Sequence, residues 1–227
     1  MNFDEYSDSY FKLLEEQKKT FKFFAPDRYF FVKYKIDLLK KILSDYPKKI
    51  LDYGSGVGLA LPYFLENFPK SKIFASDIST NSLSVVSKNY SKVEVIRDEE
   101  LTKKHFDLIY CSGVFHHIMP PKRGKVLRKL YKCLNKDGLI CIFEHNPFNP
   151  ITRRMVSTCE FDKGAELLSL SNLKELMNIN SFGVIKSNYT LFFPKIFSKL
   201  NFIEHYFGWF PLGGQYYVLA KKKNEKK

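Results

Sequence analysis

The chain has 227 residues, of which 44% are hydrophobic and 27% charged, values that exclude wholesale disorder and a membrane-embedded class. The formal net charge is +13, which would suit nucleic acid or an anionic membrane. Only six of the 37 basic residues are arginine, the residue that phosphate and base recognition favour. Nucleic acid is therefore not predicted as a partner.

The four cysteines form no C-x-x-C pair and no Cys/His spacing typical of zinc, so no metal is predicted and the thiols are expected to be reduced. Residues 1–5 begin acidic, without the apolar core of a signal peptide, and no run approaches the ~18 apolar residues of a spanning helix. These features predict a cytoplasmic protein. No stable protein partner is predicted.

Residues 1–46 are predicted to form an N-terminal helical cap, in which apolar residues recur every four positions from Phe30 to Ile42 before Pro47. Five apolar runs of strand length follow, at 50–53, 73–76, 93–96, 106–110 and 139–143. Most are separated by helix-length segments, at 59–68, 80–89 and 124–134. Strand alternating with helix predicts a mostly parallel sheet in a Rossmann-like, three-layer α/β/α sandwich.

The pattern loosens after the fifth run. Residues 145–170 are predicted to form a long functional loop with room for a short helix, because such connections inside a compact domain are seldom idle. A capped helix is predicted at 171–178, with Ser171 near its start. Late strands, one of them antiparallel, are predicted at 184–193 and 215–221 around an aromatic insertion near 190–212. The main domain thus spans 47–221, and 222–227 form a disordered basic tail.

A glycine-rich turn follows the first strand, in residues 50–58 with the sequence ILDYGSGVG. Glycines at alternate positions allow a sharp turn and close approach to a ligand, and the next helix offers free N–H groups to an anion. Asp77 closes the second strand, where a carboxylate can accept both ribose hydroxyl protons of an adenosine. These residues predict a nucleotide-type cofactor site, for S-adenosylmethionine or for a dinucleotide.

Residues 51–58 resemble motif I of the class I S-adenosylmethionine (SAM) dependent methyltransferases, which carry an acidic residue before the first glycine, as Asp52 does here. The G-x-G-x-G spacing also differs from the dinucleotide G-x-G-x-x-G, which makes a nicotinamide enzyme the minor interpretation. Residues 106–111 and 134–139 are similar to the family's fourth strand and to its turn into the fifth. The resemblance covers about residues 47–145.

This resemblance implies SAM as cofactor, and contacts to it from residues at the strand ends: Asp52, Gly54, Ser55, Gly56, Gly58, Asp77, Ile78, Asp98 and Cys111. Asp77 would hold the ribose, Ile78 would pack on the adenine, and Asp98 would meet the adenine amino group. The glycine turn would surround the methionine part, with Cys111 beside the sulfonium.

The methyl acceptor is expected beyond the ends of strands four and five, near 112–117 and 144–150. His117, Glu144 and His145 are the candidate catalytic residues, either as a base or as pocket lining. His116 precedes His117 directly and is expected to face elsewhere. Alignment of an acceptor that is already nucleophilic remains an alternative to a base.

Residues 144–147 and 209–217 are similar to bacterial small-molecule methyltransferases, which implies a small or lipid-linked acceptor such as a sugar or carboxylate. RNA or protein methylation, or SAM binding without turnover, are the alternatives. Peripheral membrane contact is a further alternative to a purely cytoplasmic protein. It is suggested by a stripe of apolar residues on one predicted helical face: Ile196, Phe197, Leu200, Ile203 and Phe207.

Overall fold

A computed structural model describes residues 28–193 and 195–223. Its seven strands are β1 Lys49–Tyr53, β2 Lys72–Ser76, β3 Val93–Val95, β4 Phe106–Ser112, β5 Leu134–His145, β6 Phe182–Thr190 and β7 Gln215–Lys222. The strand order is β3-β2-β1-β4-β5-β7-β6, and β7 is antiparallel to both of its neighbours. A mostly parallel sheet with a late antiparallel strand was predicted, and the Rossmann-like fold class is confirmed.

The α-helices of the described residues are α1 Arg28–Ile42, α2 Leu61–Asn67, α3 Thr80–Asn89, α4 Pro120–Cys133, α5 Pro150–Thr158, α6 Leu170–Ile179 and α7 Glu204–Phe207. The 3₁₀ segments of the described residues are Asp98–Lys103, Phe115–His117, Glu160–Asp162 and Lys195–Ile203. The described part of the chain divides into two compact units. One holds 28–101 with 195–196, and the other holds 102–193 with 197–223.

The first unit contains α1 to α3 and the parallel strands β1 to β3. Each of β1 and β2 exposes only its first residue, the continuous burial expected of parallel strands that are covered on both faces. Their register pairs Ile50 with Ile73 and Tyr53 with Ser76. The residues that follow Tyr53 and Ser76 therefore emerge side by side at the carboxyl end of the two strands.

In the second unit β5 is the longest strand, with β4 parallel to it on one side and β7 antiparallel on the other. Phe143 of β5 lies opposite Ser112 of β4, and His145 of β5 lies opposite Gln215 of β7. The last segment of β5, from Ile140 to Glu144, is fully buried. The carboxyl ends of β4 and β5 therefore reach the same edge of this unit, as parallel pairing requires.

Several elements differ in extent from their predictions. β5 begins at Leu134 rather than 139. The loop predicted at 145–170 contains α5, in a stretch where a short helix was allowed. The stretch from Ile196 to Phe207, predicted as one helical face, is a 3₁₀ segment broken by non-helical Phe197, followed by the single turn of α7. Lys222, placed in the tail by sequence, lies in β7. Residues 1–27 of the predicted cap and 224–227 of the predicted tail lie outside the described residues.

The start of α6 shows how a cap is selected. Ser169, not Ser171, is the N-cap: its backbone is extended, and its hydroxyl accepts a hydrogen bond from the Asn172 N–H at 3.2 Å. Ser171 is the second residue of the helix, and its hydroxyl lies 2.8 Å from that of Ser169. The sequence pattern located the helix but assigned its cap two residues late.

We expect Ser169→Ala to lower the free energy of unfolding by about 1 kcal/mol, because the Asn172 N–H would lose its acceptor. Ser171→Ala is the matched control and should change stability by less than about 0.5 kcal/mol, since Ser171 is exposed. Chemical denaturation of both variants measures the difference. A larger effect at Ser171 would show that the cap is assigned to the wrong serine.

Candidate functional site

The glycine-rich turn between β1 and α2 is held to the end of β2 by backbone hydrogen bonds. The N–H groups of Gly54 and Ser55 both donate to the Ser76 carbonyl, at 2.8 and 3.1 Å. Gly56 and Gly58 have φ values of +52° and +86°, in the left-handed region that favours glycine. The turn therefore has the sharp geometry that its sequence predicted.

The two glycines serve different purposes. A Cβ on Gly58 would lie 2.7 Å from the Leu61 side chain, so this glycine permits close packing within the unit. A Cβ on Gly56 would meet nothing within 4 Å. The backbone at Gly56 therefore faces open space, where a ligand could approach it closely.

Asp77, the residue directly after β2, fixes the glycine-rich turn that follows β1. One carboxylate oxygen accepts the Gly56 N–H at 2.8 Å, and the other accepts the Ser79 N–H at 2.9 Å. A carboxylate has about four lone-pair positions in all. Ser79 in turn caps α3 through its hydroxyl. The carboxylate thus connects the glycine turn to the start of the next helix.

Asp52 lies inside β1 and is only 3% exposed. Its Oδ2 atom accepts no hydrogen bond within the described part of the chain. Burial, followed by the like charge of Asp77, raises the pKa of Asp52 to about 7, while Lys35 of α1 opposes the shift. A buried carboxylate oxygen without a donor indicates a place where a ligand could supply one.

The remaining predicted cofactor residues are divided between the units. In the first unit Ile78 follows Asp77 and is 66% exposed, and Asp98 starts a 3₁₀ helix after β3. Cys111 belongs to the second unit, where it is fully buried in β4 opposite Ile142. Six predicted residues, Asp52, Gly54, Ser55, Gly56, Gly58 and Asp77, therefore lie together at the ends of β1 and β2.

In the second unit a buried carboxylate organises the ends of β4 and β5. Glu144 is 1% exposed, and its Oε1 accepts the N–H groups of Val114 and Phe115 at 3.0 and 2.7 Å. Its Oε2 lies 2.6 Å from His116 Nδ1. Glu144 thus fixes the turn after β4 and orients the His116 ring.

Two histidines converge on Asp162, which belongs to the short 3₁₀ helix after α5. His116 Nε2 lies 3.3 Å from Asp162 Oδ1, and His117 Nε2 lies 3.4 Å from the same oxygen. The two imidazole centroids are 4.1 Å apart. His145 lies nearby, with its ring centroid 5.1 Å from that of His116 and its Nδ1 3.3 Å from Gln215 Nε2.

The charges of this cluster shift its pKa values strongly. Burial acts to lower the pKa of His116, but Glu144 and Asp162 raise it to about 9. Burial, followed by the charge of His116, lowers the pKa of His117 to about 4. Burial acts to raise the pKa values of the Glu144 and Asp162 carboxyls, but the His116 cation outweighs burial in both cases. The pKa of Glu144 is therefore lowered, and the pKa of Asp162 is lowered to about 2.

The sequence located only part of this cluster. His117, Glu144 and His145 were predicted, and they lie close to one another in the second unit. His116 was expected to face elsewhere, yet it is the residue on which Glu144 and Asp162 converge. Asp162 was not singled out, and the sequence offered only the assignment of 145–170 as a functional loop.

A family model described as a methyltransferase domain matches residues 25–186, well over half of the chain. A SAM-dependent methyltransferase from Archaeoglobus fulgidus superposes with a TM-score of 0.65 at 19% identity, covering 86% of this chain and 94% of that one. The chain therefore belongs to the methyltransferase-domain family and has the fold of SAM-dependent methyltransferases. The family implied by the motif I resemblance is confirmed.

Two other similar proteins are O-methyltransferases. The malonyl-[acyl-carrier protein] O-methyltransferase of Halalkalibacterium halodurans is 28% identical, with 49% of this chain and 44% of that protein covered. An O-methyltransferase of neocarzinostatin biosynthesis, solved with S-adenosyl-L-homocysteine and 1,4-dihydroxy-2-naphthoic acid, has a TM-score of 0.57 at 14% identity. That match covers 85% of this chain and 57% of that one.

The curated relatives are matched over only 25% to 44% of their own length. In the part of the chain that the structure describes, no helix combines the length and apolarity needed to cross a membrane.

Proposed function

We propose that this protein transfers the methyl group of SAM to an oxygen atom of a small or lipid-linked acceptor. The observation that carries the proposal is the candidate SAM-binding site formed by Gly56, Asp77 and Asp52, in a chain of the methyltransferase family. SAM supplies a methyl group that its sulfonium already activates. The protein then has to hold the donor, align the acceptor oxygen with the methyl carbon and exclude water.

Each residue of this candidate SAM-binding site has a distinct role. Asp77 would accept the ribose hydroxyl protons while it keeps the Gly56 N–H. The open space beside Gly56 would take the methionine part. The donor group that Asp52 Oδ2 lacks would be the methionine ammonium, because a buried carboxylate is best compensated by a cation that also donates hydrogen bonds.

This assignment predicts a pH dependence of SAM binding. The pKa of Asp52 is about 7 in the free protein, and an ammonium partner would lower it. Binding then releases a proton below pH 7, so SAM affinity should rise roughly ten-fold from pH 6 to pH 7.5. Calorimetry at a series of pH values measures the rise.

Asp52→Asn should bind SAM more weakly at pH 7.5 and should flatten this pH dependence, while the charged neighbours Asp77 and Lys35 are retained. Asp45→Asn, an exposed carboxyl in the same unit, is the control and should keep the slope. A pH dependence that survives in Asp52→Asn would assign the titration to another group and remove Asp52 from the ammonium role.

An oxygen acceptor is supported by the two similar O-methyltransferases and by the cluster at the ends of β4 and β5. Both oxygens of Glu144 are engaged within that cluster, so we assign it as a positioning residue for His116 rather than a base. His117 and His145 are the residues that we place beside the acceptor. A carboxylate acceptor would already be ionised at neutral pH and would need alignment rather than a base.

Turnover is tested by S-adenosyl-L-homocysteine release from the purified protein with hydroxy acids, carboxylic acids, nucleotide sugars, polyprenyl-linked sugars and tRNA. We expect release with an oxygen acceptor. We expect Asp77→Ala to weaken SAM binding at least ten-fold, because charged hydrogen bonds contribute ~1.5 to 3 kcal/mol each. Asp45→Ala is the matched control.

The outcomes separate the alternatives. Release with tRNA alone would replace the small-molecule proposal by RNA methylation. SAM binding that depends on Asp77 without release from any acceptor would favour a SAM-binding protein without turnover. Unchanged binding in Asp77→Ala would remove the ribose role of this carboxylate.

A lipid-linked acceptor is supported by an exposed apolar surface of the second unit, which we call the aromatic rim: Phe148, Ile151, Trp209, Phe210 and Leu212. Its two segments are joined by hydrogen bonds from Asn146 Nδ2 to the carbonyls of residues 211 and 213, and from Asn149 Nδ2 to that of residue 212. Exposed Arg153 and Arg154 follow in α5. Aromatic side chains beside arginines suit an anionic lipid surface.

We therefore expect the protein to sediment with vesicles containing phosphatidylglycerol more than with vesicles of phosphatidylcholine alone. Trp209→Ala combined with Phe148→Ala should reduce the bound fraction several-fold, because two large apolar side chains would no longer enter the interface. Ile179→Ala is the control, since Ile179 is equally exposed but lies near the opposite end of β7. Equal sedimentation of the double variant would argue against the rim as a membrane contact.

A further inference from the structure

We propose that His116, His117 and Asp162 form a binding site for a divalent transition-metal ion, with Zn²⁺ as the ion that fits best. Each residue offers one ligand atom, a ring nitrogen from each histidine and a carboxylate oxygen from Asp162, and these atoms all lie within 4.8 Å of one another. This site was not predicted from the sequence, because two adjacent histidines and an aspartate 46 positions after the first have no recognised metal-binding spacing. The inference does not depend on the proposed methyl transfer.

The distances fit coordination better than direct hydrogen bonding. Imidazolium to carboxylate hydrogen bonds have N···O distances of about 2.7–2.9 Å. The two imidazole nitrogens lie 3.3 and 3.4 Å from Asp162 Oδ1, longer than that range. With metal–ligand bonds of about 2.0–2.2 Å, the ligand atoms of a tetrahedral site are separated by about 3.3–3.6 Å. The Asp162 oxygen already has this separation from each of the two nitrogens, and all three atoms lie within 4.8 Å of one another.

The surroundings of His116 also suit a metal ligand. Histidines that bind metals usually donate the other ring N–H to a carboxylate, which fixes the tautomer and turns the free nitrogen toward the ion. Glu144 Oε2 lies 2.6 Å from His116 Nδ1, and Glu144 itself is held by two backbone N–H groups. Such an arrangement holds Nε2 of His116 pointing toward Asp162, as a rigid ligand.

Three protein ligands leave one position of a tetrahedral ion open. The side chain of His116 is almost fully buried, whereas those of His117 and Asp162 are 20% and 14% exposed. The open position would therefore be reached from the side of His117 and Asp162, and Asp162 also lines a surface cavity formed by residues 153–167. Water or an anionic oxygen ligand would fill it.

The site can be tested without SAM or an acceptor, so that its failure and the failure of the proposed function are separate results. Chelator-treated protein would be titrated with Co²⁺, whose visible absorption is intense in tetrahedral sites, and with Zn²⁺ in competition with a chromophoric chelator. We expect one ion per chain, and a Zn²⁺-dependent rise in the unfolding temperature.

His117→Ala and Asp162→Asn should each weaken Zn²⁺ binding at least ten-fold and abolish the visible Co²⁺ spectrum. Glu144→Gln should weaken it by about 10- to 100-fold through the orientation of His116. His105→Ala removes an exposed histidine of the same unit and is the control that should bind like the parent. Circular dichroism establishes that each variant is folded. The cysteines are all buried, so they are not expected to compete for the ion.

Two results would overturn the proposal. One is the absence of Zn²⁺ and Co²⁺ binding at micromolar concentration by folded parent protein. The other is binding that His117→Ala, the most exposed of the ligand variants, leaves unchanged while it remains folded.

Discussion

A carboxylate that is removed from water must find hydrogen-bond donors, and the region around the ends of β4 and β5 is arranged to supply them to Glu144. The Val114 and Phe115 N–H groups and the His116 ring all meet its oxygens. These contacts fix the backbone turn after β4 and, with it, the direction in which both histidines point. The placement of His116 relative to Asp162 depends on this one carboxylate.

A second carboxylate performs the corresponding task in the first unit. Asp77 accepts the N–H groups of Gly56 and Ser79, and so connects the glycine turn to the N-terminus of α3. In both units the carboxylate comes from the carboxyl end of one parallel strand and binds the backbone after the neighbouring strand. Parallel pairing brings these loops to the same edge, so a single side chain can fix a turn that is distant in sequence.

The parts predicted from sequence were those governed by local pattern. The strands β1 to β5 follow apolar runs, and the glycine turn with Asp77 has a fixed order along the chain. His116 and Asp162 could not be placed, because their contact depends on the path of residues 146–162 after β5. The cap of α6 was placed at Ser171, since the sequence distinguishes poorly between Ser169 and Ser171 when both precede an apolar stripe.

Removing the ionisable side chains around His116 from water costs free energy, and this cost argues that the cluster has a function. It places three imidazoles and two carboxyls at the end of a buried strand, with Glu144 and His116 almost fully removed from water. Apolar residues of similar volume at such positions are often as stabilising as buried ion pairs, or more so. Stability alone therefore does not require these five side chains. Three of them, His116, His117 and Asp162, each offer a ligand atom within 4.8 Å of the others, as expected of groups placed to hold an ion or an acceptor.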